Sequence, residues 1–173
     1  AGAHGSVAVD NAFTGADRVL DYAHLPRVTF TTPNIAAVGM TDEQASEAGI
    51  RCDCRVLPLQ YVPRALVNRD TRGFVKVVAD ADTGVIVGVT AVAQAAGELA
   101  AAAVYILNAG MTVEQVANLW CPYLTMTEGI KIAAQSFTTE HHIIICGYGR
   151  CGQYMARFLE QENVAYMALD LDP

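Results

Sequence analysis

The strongest constraint on the fold is a pair of β-branched segments separated by a short turn. Gly73–Ala79 (GFVKVVA) and Val85–Val92 (VIVGVTAV) are joined by Asp80–Gly84 (DADTG). Valine-rich runs bounded by aspartate and glycine predict the two strands of a β-hairpin. We therefore expect an antiparallel sheet built around this hairpin.

Further strand-like segments precede the hairpin, and helical segments follow it. The predicted strands are Arg27–Thr31, Ala36–Met40 and Arg51–Leu59. The predicted helices are Ala95–Asn108, Thr112–Leu119 and Thr127–Phe137, and a shorter one follows Thr41 in the segment TDEQASEAG. Strands followed by helices favour an α+β fold, in which an antiparallel sheet is covered by helices on one face.

Two threonines carry the signature of helix N-caps. Thr41 precedes Glu43 and Gln44, and Gly49 is placed to end that helix. Thr112 is followed by Gln115 at the spacing of a capping box, in which side chain and backbone satisfy each other's free N–H groups.

Composition excludes two classes of partner. The net charge is −7 and no two Lys or Arg residues are adjacent, so the chain is a poor ligand for nucleic acid. The most apolar stretch, around Leu99–Leu107, is too short to cross a bilayer, so we expect no membrane insertion.

The five cysteines are odd in number and lack a Cys-x-x-Cys motif, which favours reduced thiols and a cytoplasmic location.

A different pattern begins after Glu140. A strand (His141–Cys146), the segment Gly147-x-Gly149-x-x-Gly152 and a helix (Arg150–Gln161) are followed by a second strand (Val164–Leu169), with Asp170 at its end. Glycines at this spacing let the backbone approach a pyrophosphate, and a terminal acid can bind ribose hydroxyls. The pattern predicts a β-α-β unit that binds NAD(H), although the glycines could also serve packing alone.

This C-terminal segment has a family resemblance of its own. The motifs ICGYGRCGQ and ALDLDP make residues 141–173 similar to the start of an RCK (TrkA-N type) domain. Such domains regulate potassium channels and Kef-type efflux systems, so the resemblance implies an NAD(H)-sensing regulatory module. The rest of such a domain is missing, so we interpret 141–173 as a truncated unit.

The segment WCPYLTMTEG carries the candidate catalytic side chains of the larger part. Tyr123 and Glu128 lie five residues apart, close to the predicted start of a helix. A tyrosine hydroxyl can donate a proton or bind a soft metal weakly, and a carboxylate can orient a partner. Taken alone, the same residues also fit a capped helix with a packed tyrosine.

A second resemblance covers nearly all of residues 1–139. The blocks RVTFTTPNIAAVGMTDEQASEAGI, VPRAL…DTRGF and PYLTM.EG are similar to the C-terminal dimerisation domain of the mercuric reductases. These enzymes are FAD-dependent pyridine nucleotide-disulfide oxidoreductases. The resemblance assigns residues 1–20 to a remnant of the preceding flavin-domain helix and linker, and residues 21–139 to the dimerisation domain.

The resemblance also implies chemistry. Related disulfide reductases carry a His–Glu pair where this chain has Tyr123 and Glu128. In the family the tyrosine approaches the redox cysteine pair of the other subunit and helps to accommodate Hg(II). We therefore expect a homodimer whose full-length parent uses FAD and NADPH to reduce Hg(II) to Hg(0), while this chain alone is inactive. A dimerisation scaffold without chemistry is the alternative.

Cys52 and Cys54 are a third feature of possible chemical use. They are alternate residues of a predicted strand, so both thiols are expected on one face, where they could chelate a thiophilic metal. Packing is the competing interpretation, because no histidine or third cysteine lies nearby in the sequence.

Overall fold

The computed structural model describes residues 2–138, 143–146, 153–154, 156–157, 160 and 166–169. The chain divides into two compact units, Ala1–Phe137 and Thr138–Pro173. No helix among the described residues is long and apolar enough to cross a membrane.

A five-stranded antiparallel sheet forms the centre of the first unit, with strand order β1-β2-β5-β4-β3. Its strands are β1 (Arg27–Thr29), β2 (Asn34–Gly39), β3 (Cys52–Pro58), β4 (Phe74–Asp80) and β5 (Ile86–Ala93). The predicted hairpin is β4–β5, where Val77 pairs with Val89. The prediction of an α+β fold with an antiparallel sheet is confirmed.

Residues 2–138 form six helices. They are α1 (Gly2–Thr14), α2 (Asp42–Glu47), α3 (Pro63–Val67), α4 (Ala96–Asn108), α5 (Val113–Asn118) and α6 (Glu128–Thr138). The sequence patterns predicted α2, α4, α5 and α6, and the family resemblance implied a helix remnant where α1 lies. α3, which follows a 3-10 turn at Leu59–Tyr61, was not predicted. Pro63 opens α3 at a position where a helix needs no N–H donor.

The apolar core lies between one face of the sheet and the longer helices. Val75 and Val77 of β4 are fully buried. Leu99 of α4 and Ile130 of α6 are buried against the same core. Alternate residues of a strand point to opposite faces, so Lys76 points away from this core. Helix α2 lies on the opposite face of the sheet, where Lys76 Nζ donates to Asp42 Oδ1 at 2.6 Å.

Two glycines let the chain pass from β2 to α2 across β5. Gly39 pairs with Gly88 and has φ +73°, a conformation that favours glycine. A Cβ on Gly88 would stand 1.8 Å from the carbonyl oxygen of Met40. The close approach of Met40 to β5 therefore requires that residue 88 have no side chain.

Both predicted N-caps are present as complete capping boxes. Thr41 Oγ1 accepts from the backbone N–H of Gln44 at 3.1 Å, and Thr112 Oγ1 accepts from that of Gln115 at 3.2 Å. In each case the glutamine side chain accepts in return from the threonine N–H. The boxes fix where α2 and α5 begin.

We expect Thr112→Ala to lower the free energy of unfolding by about 1 kcal/mol, because the N–H of Gln115 loses its acceptor. Thr112→Ser is the matched control, since serine retains the hydroxyl. Urea denaturation of the three proteins gives the measurement. Equal stability of the alanine variant and the wild type would show that the box contributes nothing.

The second unit contains a parallel strand pair. β6 (Ile143–Cys146) pairs with β7 (Tyr166–Leu169), with Ile143 opposite Tyr166. Parallel neighbours need a crossover connection, usually a helix, between them. The pairing agrees with the parallel arrangement expected for these segments.

Candidate functional site

The candidate site is the loop 119–127, which connects α5 to α6. Lys131 Nζ donates to the carbonyl oxygen of Leu119 at 2.7 Å, and Thr125 Oγ1 donates to that of Pro122 at 2.9 Å. The Thr125 hydroxyl also lies 2.9 Å from that of Thr127. These bonds hold both ends of the loop against the start of α6.

Tyr123 lies at the outer side of this loop. Its side chain is 73% exposed, and the neighbouring Trp120 is completely exposed. Leu124 follows with φ +58°, a left-handed conformation that costs a residue other than glycine about 1–3 kcal/mol. The loop thus holds strain while it presents two large aromatic side chains outward.

Glu128 begins α6 directly after the loop. Its Oε2 atom is buried and, among the described residues, has no hydrogen-bond partner. The adjacent Gly129 allows α6 to lie close to the core, because a Cβ there would be 3.2 Å from Val75 Cγ2 and 3.3 Å from Val62 Cγ2. An unsatisfied buried carboxylate oxygen costs about 1–3 kcal/mol, so a donor from outside the described chain would stabilise it.

A cleft of about 600 Å³ borders the loop. Its lining combines α3, the start of α4 and the loop itself: Arg64, Asn68, Gln94, Ala95, Glu98, Leu124, Thr125, Met126 and Thr127. Both Ala95, with φ +60°, and Leu124 are strained non-glycine residues. Such strain is concentrated at functional sites, which makes this cleft part of the candidate site. Sequence reasoning did not find the cleft, because its walls come from three distant segments.

The connection from α3 to β4 carries a bidentate ion pair. Arg72 donates through Nε to Asp70 Oδ1 and through Nη2 to Asp70 Oδ2, both at 2.8 Å. The Arg72 guanidinium lowers the pKa of Asp70 to about 2. This carboxylate therefore keeps its charge well below the ordinary range for aspartate.

We expect the Asp70–Arg72 pair to stabilise the fold fully above about pH 4, where an unfolded aspartate is ionised. The contribution is lost as the pH falls through the folded pKa of about 2. Carboxyl NMR titration of Arg72→Gln should give an Asp70 pKa raised towards the ordinary value but still below it, because the backbone N–H of residue 72 keeps its bond to Asp70 Oδ1. An Asp70 pKa of about 2 that survives this substitution would contradict the assignment to Arg72.

The expected nucleotide-binding residues cannot be compared with the structure. Gly147, Gly149, Gly152 and Asp170 lie outside the described residues. Their roles stay predictions, as do the catalytic roles of Tyr123 and Glu128.

Comparisons with known proteins agree on one family. The family described as "Pyridine nucleotide-disulphide oxidoreductase, dimerisation domain" matches residues 25–134. A mercuric reductase of Streptomyces lividans is 52% identical over 149 residues, which are 86% of this chain and 31% of that protein. A mercuric reductase of Lysinibacillus sphaericus is 44% identical, over 84% of this chain and 27% of that protein. The chain thus spans less than a third of either relative's length.

Solved structures give the same result for the fold. The HOCl-induced flavoprotein disulfide reductase RclA of Escherichia coli superposes with a TM-score of 0.68 at 27% identity, over 73% of this chain and 30% of that one. LpdA of Mycobacterium tuberculosis superposes with a TM-score of 0.69 at 27% identity, over 78% of this chain and 29% of that one.

Proposed function

Because the chain belongs to the pyridine nucleotide-disulphide oxidoreductases through their dimerisation domain, we propose that it is the interface domain of a mercuric reductase. The parent enzyme would reduce Hg(II) to Hg(0) with two electrons from NADPH, passed through FAD to a cysteine pair. FAD and NADPH would be bound by other domains of the parent. The proposal is supported by 52% identity to the Streptomyces lividans enzyme over most of this chain.

The observation that carries the proposal is the placement of Tyr123. The side chain is 73% exposed, on a strained loop fixed to the start of α6. An exposed aromatic residue at a fixed position can reach a group of another subunit. A tyrosine hydroxyl has no charge to place beside the soft, thiolate-bound cation, and it supplies no imidazole base for dithiol chemistry.

Glu128 has a supporting role in this proposal. Its buried Oε2 lacks a partner in the described part of the chain, so assembly with the rest of the enzyme would supply the donor. The carboxylate would then fix the start of α6 and hence the loop before it. We do not assign it a proton-transfer step.

Dimerisation is proposed as isologous, so each subunit offers the same surface to the other. Exposed aromatic residues of the 119–127 loop support such a surface: Trp120 is completely exposed and Tyr123 is 73% exposed. Each of the two sites in the dimer would then take its flavin-side residues from one subunit and the 119–127 loop from the other.

A domain exchange tests the proposal. Residues 25–134 would replace the matching segment of the Streptomyces lividans mercuric reductase, and Hg(II)-dependent NADPH oxidation would be measured. We expect the chimera to keep kcat/KM within about tenfold of the parent, because the interface must present the same loop. The 173-residue chain alone serves as a control and should show no turnover.

The chimera must first be shown to be dimeric by sedimentation and to contain FAD by absorbance. A dimeric, FAD-loaded chimera that shows no Hg(II)-dependent NADPH oxidation would contradict the proposal. It would favour a dimerisation scaffold of a different oxidoreductase.

For the second unit, the parallel β6–β7 pair supports a β-α-β arrangement. We propose NAD(H) as its ligand, as the glycine spacing suggests. Calorimetric titration of the chain with NADH tests this proposal, with Gly149→Asp as the variant expected to abolish binding by charge repulsion and bulk. Absence of heat in the wild type would leave these glycines a packing role only.

A further inference from the structure

Cys52 and Cys54 lie on the same face of β3. They pair with Asp80 and Val78 of β4, and Asp53 between them points to the other face. Both cysteines are free and only partly buried. The alternation expected from the sequence is therefore present, and both cysteines are partly exposed to solvent.

Helix α2 lies beside these thiols. The Cys52 thiol donates to the carbonyl oxygen of Asp42 at 3.6 Å, and its Sγ lies 3.7 Å from Ser46 Oγ. Lys76, from the same sheet face, forms an ion pair with Asp42 at 2.6 Å. The Cys52 thiol thus lies between α2 and the sheet, and Cys54 follows on the same face of β3.

The geometry does not suit a direct disulfide. Side chains of alternate strand residues leave the same face nearly in parallel, so their Cβ atoms are about 6.6 Å apart, whereas bonded cysteines need Cβ atoms about 3.5–4.5 Å apart. An ion held between the two sulfur atoms needs no such approach. No group of three or more His, Cys, Asp or Glu side chains that could hold a metal ion occurs among the described residues, so a tetrahedral Zn²⁺ site is not formed there.

We propose that Cys52 and Cys54 form a dithiolate site for a soft, two-coordinate cation of the Hg(II) type, under helix α2. Binding replaces two S–H bonds by two S–Hg bonds and releases two protons, with no change of oxidation state. The two thiolate charges balance the double charge of the cation, so the occupied site is neutral. The site contains no residue of the 119–127 loop and needs no turnover, so it goes beyond the proposed reductase function.

The inference is tested on the whole chain by asking whether bound Hg(II) protects the two thiols from alkylation. The reduced protein receives one equivalent of Hg(II) in about 1 mM glutathione, which two linked thiols can outcompete because the second binds at a high effective concentration. Iodoacetamide then labels accessible cysteines, and peptide mass spectrometry reads each position. We expect labelling of Cys52 and Cys54 to fall together, by about tenfold.

Variants separate a chelate from single-thiol binding. Cys52→Ser should restore the labelling of Cys54, and Cys54→Ser that of Cys52, whereas Cys121→Ser should leave both protected. Circular dichroism checks folding, and Cys52→Ala is the second choice if the serine variant unfolds. Zn(II) in place of Hg(II) should protect neither thiol.

Two results would overturn the inference. One is unchanged labelling of Cys52 and Cys54 in the wild-type chain with Hg(II). The other is protection of Cys54 that persists without the Cys52 thiol, since a single sulfur would then suffice.

Discussion

Gly88→Ala is expected to prevent stable folding of the interface domain. The new Cβ would meet the carbonyl oxygen of Met40 at 1.8 Å and its carbonyl carbon at 2.9 Å. Both are backbone atoms, and Met40 is held to β5 because its N–H donates to the carbonyl oxygen of Val87 at 2.9 Å. Neither Met40 nor β5 can move away without breaking the connection from β2 to α2. We therefore expect the free energy of unfolding to fall by more than about 4 kcal/mol.

Gly97→Ala is the matched control for this change. Gly97 lies in α4, and a Cβ there would meet only Val28 Cγ1, at 3.9 Å, an ordinary contact. Alanine is the better helix former, so the variant should be as stable as the wild type or slightly more so. Circular dichroism and urea denaturation give both results. A Gly88→Ala protein that unfolds at the wild-type midpoint would show that the crossing at Met40 is not as close as described.

Tyr123→Phe is expected to have the largest effect on activity. In the chimera with the Streptomyces lividans enzyme, we expect kcat/KM for Hg(II) to fall by about tenfold to a hundredfold, the range found when a group that orients a metal is removed. The ring and its exposure stay the same, so folding and dimerisation should not change. Steady-state NADPH oxidation at varied Hg(II) measures the effect.

Tyr105→Phe is the control, because Tyr105 is 75% exposed and Tyr123 is 73% exposed. It removes an equally accessible hydroxyl that is not on the loop, and its kcat/KM should equal that of the chimera. Equal losses for the two variants would indicate that exposed tyrosines matter for assembly rather than for mercury. No loss in either would remove the hydroxyl of Tyr123 from the reaction.

The sequence predicted those parts of the fold that depend on local patterns. The β4–β5 hairpin follows from valine-rich runs around DADTG, and α5 begins after Thr112 because a threonine and a glutamine can satisfy each other's backbone groups. α3 was missed because its five residues are too few to show a helical period. The order of strands and helices then limited the class to α+β.

The candidate site was predictable only in part. Tyr123 and Glu128 both lie close to a predicted helix start, so the segment WCPYLTMTEG already placed Tyr123 before α6 and Glu128 at its beginning. The cleft depends on tertiary packing, which places Arg64 of α3 beside Leu124 of the loop. The left-handed conformation of Ala95 has no signal in the sequence, because alanine ordinarily avoids it. Likewise, the alternation of Cys52 and Cys54 was readable, but the presence of α2 beside them was not.

Mixed dimers test most directly the central claim, that the 119–127 loop of one subunit completes the site of the other. Two inactive chimeras would be prepared, one without the redox cysteine pair of the flavin domain and one with Tyr123→Ala and a shortened loop. After dissociation, mixing and reassembly, Hg(II)-dependent NADPH oxidation would be measured. A site formed in trans predicts recovery of about a quarter of the intact activity, since half of the dimers are mixed and each of these holds one intact site. Activity no higher than the sum of the two parents would mean that each loop serves its own subunit, which would contradict the account.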